Sequence, residues 1–381
     1  MVKNIIKHLI HFFLHIFWIF PVNKRKIYFK SYSGKRYACN PKYLYLWIKE
    51  NSRVKYSFIW ELKEKSDLGN DTKIVKTLYS FRGLYHTLTS KYIVTNRAFS
   101  WFIPLKKKQI VLETWHGGGA YKRVGIYENF DKWKLIDQKL NPRQTDFYLS
   151  SSAKFTEVQA PSKFMPFNKF INTGLPRNAI FFDKSIMEKN CRKIHDFYSI
   201  PYTSKIVLFA PTYRGKTGFK QKQSRSFELD FDRLKNECVE KFGADFVLLY
   251  RSHYYDLYLE NFLPSFVIDA TKYDDMQELL CAADVLVTDY SSSMWDFALT
   301  KKPCFLYAPD LQFYANDRGF YTDPKTWPFP LAETEEQLAL NIKNFDEAKY
   351  KVAVQKHLDD FGSYENKDAC EKICKAIGLE V

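Results

Sequence analysis

A histidine followed by three glycines is the first feature of the sequence whose residue types could carry out chemistry. His116 comes shortly after an apolar run at residues 109–113, and Gly117 begins the glycine run. The apolar run is typical of a buried strand, and the glycines leave room for a ligand near the backbone. The ordinary pKa of histidine is ~6.5, so His116 could take a proton from a hydroxyl near neutral pH. A structural histidine in a glycine-rich turn is the alternative.

A run of three serines suggests a second kind of chemistry, the binding of a phosphate. The serines separate a predicted strand at 284–288 from a predicted helix at 292–300. Hydroxyl groups, backbone N–H groups and the positive end of a helix dipole together favour a bound anion. Simple capping of the helix by serine is the alternative. The candidate residues of this site are Thr288, Ser291, Ser292, Ser293 and Asp296.

Three arginines and a second histidine follow other predicted strands of the same half of the chain. They are Arg214, Arg251, His253 and Arg318. Each arginine alone is typical of a protein surface, but their convergence on one sheet edge indicates a cleft that binds pyrophosphate. No acidic cluster for a metal accompanies them, so we expect protein cations rather than a metal to balance the phosphate charge.

The elements that position these residues alternate between strand and helix patterns. Strands are predicted at 26–30, 56–60, 91–95, 109–113, 146–150, 205–210, 246–250, 266–269, 284–288 and 303–307. Helices are predicted at 41–51, 231–242, 275–283, 292–300 and 335–345. Such alternation is typical of doubly wound parallel sheets. A helical or irregular stretch at about 176–202 divides the pattern into two blocks, which predicts two domains facing a cleft, with ligands at the carboxyl ends of the strands.

Composition and charge restrict the possible partners. The 381 residues include 58 Lys and Arg against 43 Asp and Glu, a net charge of +15 that favours an anionic partner. No helix-turn-helix, zinc-finger or RNP pattern is present, so nucleic acid is not expected. The P-loop pattern fails at Ala210, and neither G-x-S-x-G nor a strand followed by G-x-G-x-x-G occurs. Seven scattered cysteines predict no disulfide framework and a reducing compartment.

The N-terminal segment at 5–22 has the pattern of an amphipathic helix. Lys7, His8, His11 and His15 share one polar stripe, opposite a broad apolar face. These polar residues argue against a transmembrane helix, and the basic run at 23–26 argues against a signal-peptide cleavage site. The pattern predicts a helix lying in the interface of an anionic membrane. A helix packed on its own domain, with its polar stripe in water, is the alternative.

Taken together, these motifs resemble the CDP-glycerol glycerophosphotransferase family, which builds teichoic acids and related phosphate-linked surface polymers. The resemblance covers roughly residues 90–330. The residues that carry it are Thr114-Trp115-His116-Gly117, Gly174-Leu175-Pro176-Arg177-Asn178, Phe209-Ala210-Pro211-Thr212-Tyr213-Arg214, Arg251-Ser252-His253, Thr288-Asp289-Tyr290-Ser291-Ser292 with Asp296-Phe297-Ala298, and Arg318-Gly319-Phe320-Tyr321. Relatives often continue the histidine motif as His-Gly-Thr-Pro-Leu-Lys, whereas residues 118–122 here are GGAYK. This departure falls in a loop expected near the acceptor.

The resemblance implies a GT-B fold with two Rossmann-like domains. The expected division is an amphipathic helix at 1–22, an acceptor-side domain at 23–180 and a CDP-donor-binding domain at 181–381, whose final helix can pack back on the first domain. In relatives, the residue matching His116 is the proposed general base, and those matching Arg251, His253 and the serines contact the diphosphate. Gly117, Arg214 and Arg318 complete the expected substrate-binding set.

The implied reaction transfers glycerol phosphate from CDP-glycerol to a hydroxyl of a lipid-linked or polymeric glycan acceptor and releases CMP. No cofactor is expected beyond the substrate, and the expected location is the cytoplasmic face of the membrane, bound peripherally. Three alternatives stay open: CDP-ribitol as the donor, a GT-B glycosyltransferase that uses a nucleotide sugar, and a non-enzymatic scaffold that binds anions.

Overall fold

The structure is a computed structural model that describes residues 2–64, 68, 69, 71–128, 132–212, 229–252 and 263–381. The chain divides into two compact units. The first unit comprises Met1–His116, Asn129–Ala179 and Tyr364–Val381, and the second comprises Gly117–Glu128 and Ile180–Ser363. Residues 117–128 therefore group with the second unit, although the sequence-based division assigned them to the first domain.

The strands of the described residues form two parallel sheets. They are β1 (Asn23–Lys30), β2 (Ser57–Glu61), β3 (Thr72–Val75), β4 (Ser90–Thr95), β5 (Ile110–Glu113), β6 (Phe147–Leu149), β7 (Phe170–Ile171), β8 (Lys205–Phe209), β9 (Phe246–Tyr250), β10 (Val267–Asp269), β11 (Val285–Thr288), β12 (Cys304–Tyr307) and β13 (Leu331–Ala332). The first sheet has the order β3-β2-β1-β4-β5-β6-β7, and the second has the order β10-β9-β8-β11-β12-β13. Each order reverses once, between β1 and β4 and between β8 and β11, as in doubly wound nucleotide-binding folds.

Helices follow most of the strands, as parallel connections require. They are α1 (Val2–Leu14), α2 (Cys39–Asn51), α3 (Phe81–Thr89), α4 (Lys132–Leu140), α5 (Ala153–Ser162), α6 (Lys184–Tyr198), α7 (Phe231–Phe242), α8 (Met276–Ala282), α9 (Ser293–Ala298), α10 (Leu311–Asp317), α11 (Glu335–Lys343), α12 (Glu347–Asp360) and α13 (Ala369–Ala376). The predicted α/β fold with two parallel-sheet domains is confirmed.

The core of the first unit lies on both faces of its sheet. Ile27 and Phe29 of β1 pack in one cluster with residues of α2 and α13, whereas Tyr28 packs in another with Phe17 and Leu88. This alternation is the two-residue period of a strand buried on both sides. Helix α13 therefore completes the core of the first unit from the C-terminal end of the chain.

The N-terminal helix turns its polar stripe towards the protein. Lys7 forms an ion pair with Asp137, His11 Nδ1 lies 3.2 Å from the carbonyl of Phe102, and the rings of His8 and Trp101 are 4.8 Å apart. The opposite, apolar face is exposed. The alternative prediction, a helix packed on its own domain with its polar stripe in water, is therefore wrong about the face that packs. The polar stripe contacts the protein and the apolar face is exposed.

The helix is also shorter than the segment predicted at 5–22, because residues His15–Ile19 form a 3₁₀ turn. Within the described part of the chain, no helix combines the length and apolar character needed to cross a membrane.

Glycine at position 83 is required by the packing of α3. A Cβ atom there would lie 2.0 Å from the backbone oxygen of Thr77 and 2.8 Å from Cα of Leu78. Both atoms belong to the backbone, so a side chain could be accommodated only by moving the chain.

We expect Gly83→Ala to lower the free energy of unfolding by ~1–3 kcal/mol, the usual cost of overpacking. Urea denaturation measures the change, and Arg82→Ala, at an exposed position of the same helix, is the control. Equal midpoints for the two variants would contradict the close packing at Gly83.

Candidate active site

His116 lies just beyond the carboxyl end of β5, next to the reversal point of the first sheet. Its Nδ1 atom is 3.0 Å from the carbonyl oxygen of Asn96, the residue that follows β4. A carbonyl can only accept a hydrogen bond, so we assign the ring proton to Nδ1, and Nε2 then carries the lone pair. The histidine is thus held in the tautomer that a general base needs.

A set of buried polar groups fixes the backbone around this histidine. Asn40 Nδ2 donates to the carbonyl oxygens of Thr114 and Trp115, at 3.0 and 3.2 Å. Arg177 Nη1 donates to the carbonyl oxygen of His116 at 2.8 Å. Arg177 comes from the Gly-Leu-Pro-Arg-Asn motif, so the structure brings two of the sequence motifs together at one point.

The electrostatic surroundings keep His116 neutral. Burial lowers the pKa of His116 well below its usual value, and the positive charge of Arg97 acts in the same direction. Lys163 and Arg177 lower the pKa further, whereas the hydrogen bond to the Asn96 carbonyl opposes the change. A neutral imidazole at pH 7 can accept a proton.

The second group of candidates lies at the reversal point of the second sheet. Arg251 follows β9, and Ser291 and Ser292 follow β11, while the strand between them, β8, leads into Thr212. Asp289 is completely buried and accepts hydrogen bonds from the backbone N–H and the hydroxyl of Thr212. This contact joins the loops after β8 and β11, so the candidates converge on one edge of the sheet.

The candidates at this edge differ in what their polar groups contact. Thr288 is buried, and its hydroxyl donates to the carbonyl of Ala210 at 2.7 Å. Asp296 is buried and accepts from Gln277 Nε2 at 2.9 Å. The side chains of Ser291 and Ser292 are half-buried, and Ser293 Oγ is buried with no hydrogen-bond partner among the described residues. The geometry therefore gives Thr288 and Asp296 supporting contacts and leaves serine hydroxyls at the edge.

The helix after the serines is shorter than predicted. Helix α9 covers six residues, Ser293–Ala298, against the nine predicted at 292–300. A short helix has a small dipole, so hydroxyl and backbone N–H groups are the main donors that this segment offers to an anion.

Arg318 and Gly117 belong to a different part of the second unit. Arg318 Nη2 donates to Glu128 at 3.1 Å and its Nε to the carbonyl of Arg123 at 3.3 Å. The chain that begins at Gly117 continues into this loop, where Lys122 and Phe320 form an antiparallel bridge. Arg318 is therefore paired with a carboxylate in this structure. Arg214 and His253, which were also predicted as site residues, lie outside the described residues.

Several residues of the site were missed by the sequence analysis. Asn96 and Arg97 follow β4 directly, so the rule that found His116 at the end of β5 could have found them. Asn40 gives no comparable signal, since it lies at the start of α2 and far from the other motifs in the sequence. The described residues contain no group of three His, Cys, Asp or Glu side chains arranged to hold a metal ion.

Comparisons with known proteins place this α/β transferase fold in a defined family. Residues 12–379 match the family described as CDP-glycerol:poly(glycerophosphate) glycerophosphotransferase. The chain is 31% identical over 379 residues to the teichoic acid poly(glycerol phosphate) polymerase of Bacillus spizizenii, covering 95% of this chain and 94% of that protein. It is 29% identical over 398 residues to the teichoic acid glycerol-phosphate transferase of Staphylococcus aureus, covering 99% of this chain and all of that protein.

A solved structure of a related polymerase has the same fold along nearly the whole chain. The wall teichoic acid polymerase TagF, in a variant soaked with CDPG, superimposes with a TM-score of 0.81 and 26% identity, covering 99% of this chain and 95% of that one. The chain belongs to the CDP-glycerol:poly(glycerophosphate) glycerophosphotransferase family. It is therefore an enzyme, a transferase that uses CDP-glycerol, and the family resemblance expected from the motifs is confirmed.

The lowered pKa of His116 has a consequence for the pH dependence of turnover. A general base works deprotonated, so kcat falls only when the pH drops through its pKa, and we expect this acid limb below pH ~6.5. Arg97→Gln removes a positive charge, raises the pKa of His116 and moves the limb to higher pH. The measurement is kcat for CMP release across pH 4.5–8. Arg143→Gln, at another exposed arginine of the first unit, is the control, and coincident profiles for the two variants would refute the assignment.

Proposed function

We propose that His116 is the general base of a reaction that transfers glycerol phosphate from CDP-glycerol to a hydroxyl of the acceptor. The observation that carries the proposal is the 3.0 Å contact between His116 Nδ1 and the Asn96 carbonyl, which leaves Nε2 as the proton acceptor. Membership of the family supports CDP-glycerol as the donor. The tautomer of His116 supports its role as the general base.

The reaction is a displacement at phosphorus. His116 Nε2 takes the proton of the acceptor hydroxyl as its oxygen attacks the β-phosphorus of CDP-glycerol. The bond between the β-phosphorus and the bridging oxygen breaks, and CMP leaves with the electron pair. The product is a phosphodiester that joins glycerol to the acceptor.

The donor phosphates are assigned to the edge of the second sheet. Arg251 supplies a positive charge there, and Ser291, Ser292 and Ser293 supply hydroxyl donors. The family resemblance adds Arg214 and His253, which lie outside the described residues, to the proposed donor-binding residues. Support comes from the buried hydroxyl of Ser293, which has no partner in the part of the chain that the structure describes. Hydrogen-bond donors fixed in advance at an anion are the main source of catalysis in phosphoryl transfer.

The acceptor is a teichoic acid intermediate, either a lipid-linked glycan or a growing polymer. This proposal follows from the relatives that act in teichoic acid synthesis and resemble the chain along its full length. Relatives named for ribitol phosphate make CDP-ribitol the alternative donor.

His116→Ala should lower kcat by ~10²–10⁴, the range for losing a general base, with an unchanged dissociation constant for CDP-glycerol. Ser291→Ala should instead weaken donor binding as well as turnover. CMP release and calorimetric titration with CDP-glycerol measure the two quantities, and CDP-ribitol is run in parallel. Near-wild-type turnover in His116→Ala would remove the base assignment, and a preference for CDP-ribitol would replace the donor.

We also propose that the protein binds peripherally to the cytoplasmic face of the membrane. The apolar face of α1 supports this, since Phe12 and Phe13 are 71% and 67% exposed, and Lys24 and Arg25 lie exposed at the start of β1. The apolar side chains can enter the lipid while each basic residue near an anionic surface adds ~1 kcal/mol. CDP-linked donors are made in the cytosol, which fixes the side.

Replacing Phe12 and Phe13 together by serine should reduce cosedimentation with anionic vesicles at least tenfold, because the buried apolar area is lost. Phe197→Ser is the matched control, since Phe197 is 64% exposed on α6 of the second unit. Equal vesicle binding by the double variant and the wild type would exclude α1 as the membrane contact.

A further inference from the structure

The glycine run after His116 packs on a tryptophan that follows the serine motif. A Cβ atom on Gly118 would lie 2.1 Å from Cδ1 and 2.7 Å from Nε1 of Trp295, and one on Gly119 would lie 3.0 Å from Cε3 of the same ring. Trp295 is completely buried in α9. Only glycine at position 118 therefore lets the backbone rest on this indole ring.

Tyr121 holds the far end of the same loop. Its hydroxyl lies 2.9 Å from Nε2 of His357 in α12, and its ring lies 4.7 Å from the ring of Trp327. Burial lowers the pKa of His357 to about 4, so the imidazole is neutral at physiological pH and its Nε2 can accept the tyrosine proton. Residues 118–121 are thus fixed at both ends within the second unit.

Helix α9, on which the loop packs, also has contacts outside the loop. Helix α9 is held independently, because Asp296 accepts a hydrogen bond from Gln277 and the ring of Trp295 packs beside Phe361. A methyl group introduced at Gly118 would therefore displace the loop backbone and leave the serine segment in place.

The position of this loop bears on the base, because His116 and Gly117 are joined by a peptide bond. The chain leaves the first unit at His116 and enters the second at Gly117. The Asn96 and Arg177 contacts fix His116 from one side of this junction. The packing of Gly118 on Trp295 fixes the chain two residues later.

We propose that Trp295, with Tyr121, is a positioning residue for the transfer reaction, setting the loop that follows the general base. The inference rests on the proposed role of His116. The glycine at 118, where relatives often have threonine, and the bulky ring at 295 are sterically matched. A threonine at 118 would require a different arrangement of this ring.

The test is Gly118→Ala, with kcat for CMP release and the dissociation constant of CDP-glycerol measured separately. We expect kcat to fall ~10–100-fold, as displacements of about 1 Å at a reacting group do, and the donor dissociation constant to stay within twofold. Tyr121→Phe, which removes only a hydroxyl, should lower kcat several-fold with the same unchanged donor affinity.

Gly83→Ala is the matched control, because its added methyl group would meet the backbone of Thr77 as closely, far along the chain from this loop. It should lower stability without changing kcat of the folded protein. Unchanged kcat in both Gly118→Ala and Tyr121→Phe would overturn the inference, and so would a loss of donor affinity that matches the loss of kcat. If His116→Ala is inactive while the two loop variants are fully active, the positioning role of Trp295 and Tyr121 is rejected and the role of His116 stands. If His116→Ala is active, the proposed role of His116 as the general base is rejected.

Discussion

One buried polar side chain closes the reversal point of each parallel sheet, and the candidate residues of each unit lie beside that contact. In the first unit, Asn96 follows β4 and accepts a hydrogen bond from the N–H of Tyr32, just after β1. In the second unit, Asp289 follows β11 and accepts from Thr212, just after β8. The two residues are topologically equivalent. Asn96 directly follows β4, and Asp289 directly follows β11, and these two strands occupy the same position beside the reversal point of their sheets. Connections diverge to opposite faces at such a point, so the exposed backbone groups need a partner that the sheet does not provide.

The two contacts leave different chemistry at their edges. The side-chain oxygen of Asn96 accepts a hydrogen bond from the backbone of Tyr32. The backbone carbonyl oxygen of Asn96 is the partner of His116 Nδ1 and fixes the tautomer of that ring. Asp289 is an acceptor only, and it uses its oxygens on the loop after β8. Arg251 and the serines at 291–293 follow strands that end at the same edge of this sheet. Different residues at equivalent positions of the two sheets therefore give each unit its own candidate groups, which are His116 in the first unit and serine hydroxyls with Arg251 in the second.

The sequence was sufficient to predict ten of the described strands because most of them contain a nearly continuous apolar run, as burial on both faces demands. Three strands were missed: β3, β7 and β13. The last two contain only two residues each, and all three lie at or near a sheet edge, where the apolar signal is weak. His116 was found because strand ends are visible in the sequence. Asn40 and the supporting role of Arg177 were not, because their contacts join residues more than 60 positions apart.

The division of the chain explains why a glycine run begins the segment of the second unit that follows His116. After the chain enters the second unit at Gly117, its backbone packs against a residue that lies much later in the sequence. Here that surface is an indole ring, and its flat face admits a backbone without side chains at 118 and 119. His357 of α12 and the following Phe361 complete the support, so the loop depends on contacts with residues that lie more than 230 positions later in the chain. The glycines thus serve packing rather than flexibility, and the sequence pattern alone, which also fits a loop open to ligand, could not distinguish the two.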